Sequence, residues 1–225
     1  MDKGTYQKIE NYMLSRMEDS AHDKEHVYRV LNNALVIADE IQGVDYDVLI
    51  AACLLHDIAR PEQIREPKLC HAEVGSEKAY TFLLQSGCSV GFAEQVRDCI
   101  RTHRFRKNDQ PESIEAKILF DADKLDVVGA IGIARTLVYK GTVSDPLYTR
   151  RADGTISDGT DDGPSSFFWE YKFKLEKLYD RFYTPKGREL ALERKAAAES
   201  FYRNLYSEIT GFDATGKCLV ENLLK

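Results

Sequence analysis

Apolar residues recur every three or four positions along most of the chain, and no run of alternating β-branched residues is long enough for a strand, so the pattern predicts an all-α fold. The spacing predicts a first helix over about residues 5–18, with Tyr6, Ile9, Met13 and Met17 on one face. A second, behind a candidate N-cap at Asp23, reaches about Ile41 and aligns His26, Val30, Asn33 and Ile37 beside Val27, Leu31, Ala34 and Ala38. A third runs from near Asp45 through Leu49, Ala52, Cys53 and His56 until Pro61 stops it, which puts His56 and Asp57 in its last turns. His71 opens a fourth helix, closed by Gly87, and Ser89 caps a fifth whose Ala93, Val96, Ile100 and His103 share an inward face. The longest predicted helix follows Pro111 and Ser113 to about Tyr139, with Asp123 and Asp126 on a stripe beside Leu119 and Ala130.

Between Gly141 and Ser166 the periodicity disappears among Asp145, Asp153, Asp158, Asp161, Asp162 and four glycines, which reads as a loop and a candidate lid. It lacks the closing glutamate and the flanking helix pair of an EF-hand, so calcium is not its expected ligand. Helical pattern returns at Phe167, where Phe168, Trp169, Tyr171 and Phe173 read as a core stripe. It breaks at Pro185 and ends with Leu190, Ala198, Phe201, Leu205 and Ile209 on one side. The expected organisation is a single helical bundle with a core over 1–140, the acidic loop over 141–166, and a C-terminal helical extension over 167–225 that packs on the core.

Composition narrows the class. With 225 residues, 43% of them apolar, the chain can bury a sizeable core. Thirty-one basic residues against 37 acidic ones give a net charge of −6, the wrong sign for a nucleic-acid partner held by its phosphates. No apolar run approaches a membrane span, and no basic-then-apolar leader opens the chain; a soluble, cytoplasmic protein is expected. The five cysteines form no CxxC pair, which argues for reduced thiols rather than a disulfide framework or a thiolate zinc site.

Four of the five histidines occupy marked places: His26 in the first turn of a helix, His56 beside Asp57, His71 at a helix start, and His103 on an apolar face. Two imidazoles with two carboxylates make a mixed N/O set suited to Mn, Fe, Co, Ni or Mg, with positions left for water. A buried carboxylate such as Asp123, in the middle of an apolar helix, needs a partner to offset its desolvation.

His26 within HDKEHVYRV, His56-Asp57 within AACLLHDIARP and Asp123 within ILFDADKLDVVGAIGIAR together resemble the H…HD…D pattern of the HD superfamily of metal-dependent phosphohydrolases. The run DADKLD…GAIGIAR is similar especially to the nucleotide pyrophosphohydrolase branch, the YpgQ/YedJ-like proteins. The resemblance covers roughly residues 20–140 and implies an HD-domain helical bundle. It implies His26, His56, Asp57 and Asp123 as ligands of a divalent cation. Asp123 is chosen over Asp121 and Asp126 because the pattern sets Ala-Asp before a basic residue and Leu, here Ala122-Asp123-Lys124-Leu125. The implied reaction is hydrolysis of a (deoxy)nucleoside triphosphate to monophosphate and pyrophosphate by a metal-activated water.

Asp57 is then expected to orient or deprotonate that water, with His71 and His103 as further catalytic groups or as ligands of a second cation, as in some HD phosphodiesterases. Arg29, Arg60 and Lys124 are the expected phosphate-binding cations, Arg29 having a salt bridge to Glu25 as its alternative. Asp126 is a candidate acceptor for a ligand imidazole. The partner is expected to be a small phosphorylated molecule, a nucleotide first, and a homodimer stays open. Nucleotide phosphomonoesterase, cyclic or signalling-nucleotide phosphodiesterase, and a metal-binding sensor without turnover are the other readings.

Overall fold

The computed structural model describes residues 1–17, 24–104, 110–161 and 165–224. Among these the chain is helical, with one isolated antiparallel bridge between Arg150 and Ile156 and no strand. The proposed cap Asp23, the residues 105–109 of the linker after His103, and Asp162 lie outside the described residues. No described helix is long and apolar enough to cross a membrane.

Two compact units emerge, and each is described by itself. The first comprises Met1–Asp126 with Phe182–Leu190. Its helices are α1 (Lys3–Leu14), α2 (Lys24–Ala38), α3 (Tyr46–Leu55), α4 (Arg60–Arg65), α5 (His71–Gln85), α6 (Val90–Thr102) and α7 (Ile114–Leu125). At the centre lies α3, with Val48, Leu49 and every residue from Ala51 to Leu55 buried. A helix apolar on all sides must be surrounded, and α1, α2, α5, α6 and α7 all pack against it. Each buried leucine contributes about 1.5–3 kcal/mol, so the C-terminal end of α3 is among the best-anchored points of this unit. Side-chain caps fix where its neighbours begin: Asp2 for α1, Asp45 for α3, Ser89 for α6 and Ser113 for α7 each accept a backbone N–H of the first turn.

The sequence pattern misplaces three boundaries. The first helix ends at Leu14 rather than near residue 18. Pro61 opens the short α4 instead of closing α3, which ends at Leu55 with His56 as its C-cap; proline fits a helix's first turn because its missing N–H has no partner there anyway. The long helix expected from Ser113 to Tyr139 is two helices. Asp126 caps α7 with its N–H on the Asp123 carbonyl, and a new helix, α8 (Gly129–Thr142), starts after an extended Val128. Gly129 takes φ +69°, a left-handed conformation that glycine adopts without strain, and periodicity carries no sign of it.

The second unit comprises Val127–Arg181 with Ala191–Lys225. It holds α8, α9 (Phe167–Phe173), a 3₁₀ turn (Leu175–Lys177), most of α10 (Pro185–Thr210) and α11 (Asp213–Leu223). A Cβ on Gly132 would sit 2.2 Å from the Val127 carbonyl oxygen, so that position demands glycine for close approach. The described part of the acidic loop is tied down: Ser157 donates to the Thr149 carbonyl (3.0 Å), and Arg151 pairs with Asp161 (2.6 Å) and Asp158 (3.2 Å). Ile156 and Ser157 are buried. The aromatic stripe is partly core, with Phe168 and Tyr171 buried and Phe173 exposed. On the part of α10 in this unit the buried positions are Ala191, Ala198 and Tyr202 rather than Phe201, and Tyr171 stacks on Tyr202 at 4.2 Å.

Candidate metal centre

Six side chains of metal-ligating type converge in the first unit, brought there by five helices or their ends. They form two triads, His26 with His56 and Asp123, and Asp57 with His71 and His103. All four imidazoles are buried, as is Asp57, while Asp123 keeps 14% of its side-chain surface exposed.

What each imidazole does is fixed by its Nδ1. In His56 it lies 2.7 Å from the Cys53 carbonyl, and in His103 2.6 Å from the Ile100 carbonyl. In His26 it lies 2.7 Å from Asp126 Oδ2, and in His71 2.5 Å from Gln63 Oε1. The carbonyls and the carboxylate only accept, so Nδ1 of His56, His103 and His26 carries the proton and their Nε2 atoms are left as the acceptor nitrogens; His71 Nδ1 also meets Arg104. The four Nε2 atoms face one another in pairs, His26 with His56 and His71 with His103, each pair 3.3 Å apart.

Asp57 lies between the pairs. Its Oδ2 is 3.5 Å from His26 Nε2 and 3.7 Å from His56 Nε2, and its Oδ1 is 3.1 Å from His71 Nε2 and 3.6 Å from His103 Nε2. Asp123 Oδ1 approaches His26 Nε2 at 3.6 Å. Converging lone pairs repel unless positive charge sits among them, and Asp57 Oδ1 is buried without a hydrogen-bond partner. Separations of 3.1–3.7 Å match the edges of a coordination shell whose bonds are about 2.1 Å long. The residues therefore fit a divalent cation, and the N/O donor set suits the first-row metals and magnesium.

Electrostatics point the same way. Burial alone would push the Asp57 carboxyl up, but Arg60, His56 and His71 hold it well below the usual carboxylate range. Burial likewise opposes ionisation of Asp123, which Lys124 and His26 overcome. Burial pushes His56 down to about 4 and His71 down to about 3, against the pull of Asp57. The unfolded chain takes up protons on these imidazoles below about pH 6.5 while the folded chain does not. Stability of the metal-stripped protein should thus be full above pH 6.5 and fall from there toward pH 4, by up to about 1.4 kcal/mol per pH unit for each imidazole. Urea unfolding at pH 7.5, 6 and 5 checks this, and a flat profile would mean that neither imidazole is held neutral.

The three expected phosphate-binding cations are all at the centre, each on an acid. Arg60 Nε donates to Asp57 Oδ2 (3.1 Å), and Lys124 Nζ donates to Asp123 Oδ2 (3.0 Å). Arg29 clamps Asp126 through Nε (2.7 Å) and Nη2 (3.0 Å) rather than pairing with Glu25, so Asp126 both receives His26 and is itself held. Asp121 points elsewhere in the same unit, accepting from the Tyr183 and Thr184 amides and the Thr184 hydroxyl. Two residues escaped sequence reasoning. Gln63 touches His71 and lies 3.5 Å from Arg60 Nη1, and Arg104 Nη1 approaches both Gln63 (3.4 Å) and His71 Nδ1 (3.0 Å). Neither belongs to a motif or periodic face that marks it.

Known proteins share this architecture. The HD domain family matches residues 24–128. YpgQ of Bacillus subtilis (strain 168) is 32% identical over 201 residues, 88% of this chain and 89% of the relative. The crystal structure of Bacillus subtilis YpgQ in complex with ADP superposes with a TM-score of 0.71 at 29% identity, covering 92% of this chain and 100% of that one. An HD-superfamily hydrolase from Bacillus thuringiensis gives a TM-score of 0.68 at 26% identity, over 92% of this chain and 97% of the other.

Proposed function

The chain belongs to the HD-domain family of metal-dependent phosphohydrolases, and from that premise we propose that it hydrolyses nucleoside or deoxynucleoside triphosphates to monophosphate and pyrophosphate. The observation that carries the reading is the gathering of four imidazoles and two carboxylates into two adjoining buried triads. The ADP bound by YpgQ supports a nucleotide as the substrate class. In this reading His26, His56, Asp57 and Asp123 hold one divalent cation, Mn, Ni, Co, Fe or Mg, which supplies Lewis acidity and acidifies water.

Water attacks the α-phosphorus, the bond from that phosphorus to the bridging oxygen breaks, and pyrophosphate leaves with the electron pair. Asp57, held ionised far below neutrality, orients the water and is a poor proton acceptor. His71 Nε2 and His103 Nε2, each within 3.6 Å of Asp57 Oδ1, stand where they can accept a hydrogen bond from that water or pass its proton on. Arg29, Arg60 and Lys124 stabilise the charge that develops on the phosphoryl oxygens while keeping their acids in place. A second reading, in which Asp57, His71 and His103 hold a second cation, is favoured by the unpartnered Asp57 Oδ1.

Metal-stripped protein resupplied with Mn²⁺, Co²⁺, Ni²⁺ or Mg²⁺ and offered a panel of nucleotides should release pyrophosphate and monophosphate from triphosphates. Orthophosphate from monophosphates would replace this reading with a phosphomonoesterase, and a linearised product from cyclic nucleotides with a phosphodiesterase.

A further inference from the structure

We propose that Gln63 is a positioning residue: its side-chain oxygen fixes His71 as the Nδ1–H tautomer and so keeps His71 Nε2 bare toward Asp57. The inference rests on the reading of His71 as a working member of the centre.

His71 differs from the other three imidazoles. His56 and His103 are set by backbone carbonyls three residues earlier in their own turns, and His26 by a carboxylate. His71 Nδ1 faces two side chains of opposite character, the Gln63 oxygen at 2.5 Å and the Arg104 guanidinium at 3.0 Å. A guanidinium can only donate. If Arg104 supplied the proton to that hydrogen bond, Nδ1 would be an acceptor and the imidazole's own proton would sit on Nε2, aimed at Asp57 Oδ1. That nitrogen could then neither take a proton from water nor ligate a cation.

The shorter of the two contacts favours Gln63. A nitrogen and an oxygen at 2.5 Å need a proton between them, because two facing lone pairs would repel. The Gln63 oxygen also lies 3.4 Å from Arg104 Nη1 and 3.5 Å from Arg60 Nη1, so one oxygen gathers donors from three directions. Arg104 Nη1 stands nearer to the imidazole than to the amide oxygen, so Gln63 and Arg104 compete for His71 Nδ1, and the shorter contact, to Gln63, sets where its proton sits. Gln63 thus ties α4, α5 and the residue after His103 to a single protonation pattern, and both roles open to His71 require that pattern.

Nitrogen-15 NMR of histidine-labelled, metal-stripped protein at pH 7.5 reads the tautomer directly, and with five histidines the His71 signals can be assigned by comparison with His71→Gln. Wild type and Gln63→Glu, which keeps an oxygen acceptor, should both show His71 protonated at Nδ1. Gln63→Leu should move the proton to Nε2 and, in the metal-loaded enzyme, lower kcat roughly 10–100-fold with KM little changed, the range for losing a group that orients an active-site imidazole. His71 protonated at Nε2 in wild type, or at Nδ1 in Gln63→Leu, would overturn the proposal. Because the tautomer is read without substrate, a wild type with the expected spectrum but no turnover would count against the proposed reaction and leave Gln63's role standing.

Discussion

Replacing Asp57 with alanine is expected to abolish stable cation binding and to lower hydrolysis at least about a thousandfold, about 4 kcal/mol in the barrier. The size follows from where its two oxygens lie. Oδ2 faces His26 and His56, and Oδ1 faces His71 and His103, so one side chain neutralises charge for both triads. Without it, the first triad keeps Asp123 as its only carboxylate, and the second keeps imidazoles alone. The metal-free fold should change little. The substitution removes a carboxylate whose burial is costly, and it also strands Arg60, which then turns to solvent from its half-buried position; these effects offset. Thermal unfolding with and without Mn²⁺ separates the two contributions. Wild type at a metal concentration of about a thousand times Kd should gain about 4 kcal/mol, and Asp57→Ala nothing measurable. A variant that binds Mn²⁺ as tightly as wild type would remove Asp57 from the centre.

Much of this centre is legible in the sequence because helical period aims side chains at a common core. His26 shares the buried stripe of Val30, Ala34 and Ile37, and His103 continues the stripe of Ala93, Val96 and Ile100. His56-Asp57 follows α3, a helix apolar on all sides, and such a helix has only the middle of the unit to occupy. Period fails where the deciding partner is distant in sequence. Arg29 looks like the partner of Glu25 one turn away, yet its acid is Asp126, 97 residues on. Gln63 meets Arg104 across 41 residues, and no local rule pairs them. It fails again where backbone rather than side chain carries the information, as at Gly129, whose left-handed φ splits a continuous apolar pattern into α7 and α8. The same limit applies to the choice among Asp121, Asp123 and Asp126, which all fall within two turns and are separated only by what lies opposite each.

That separation makes a pair of alanine substitutions, two residues apart, diverge in opposite directions. Asp121→Ala should cost roughly 3–5 kcal/mol of stability, the range for breaking a buried charged network, and leave cation affinity intact. Its carboxylate accepts the Tyr183 amide at 2.9 Å, the Thr184 amide at 2.7 Å and the Thr184 hydroxyl at 2.6 Å, and that hydroxyl accepts in turn from the Gly187 amide at 3.0 Å. The fit is close: a Cβ on Gly187 would stand 2.6 Å from Asp121 Oδ2. Alanine orphans buried donors at the start of α10, each worth about 1–3 kcal/mol though not additively. At roughly 2–4 °C per kcal/mol for a chain of this size, Tm should fall by about 10 °C. Asp123→Ala should do the reverse. Its contacts are Lys124 at 3.0 Å and His26 at 3.6 Å, and Lys124 already rests over the Phe120 ring, so the metal-free Tm should move by no more than a few degrees. Cation binding should drop by at least about a hundredfold as the first triad loses its own carboxylate, which exceeds the usual cost of losing an outer-shell partner. Measuring Tm and Mn²⁺ affinity for both variants tests the assignment at once. A stability loss in Asp123→Ala together with lost affinity in Asp121→Ala would exchange their roles, and would mean that α7 presents a different face to the imidazoles.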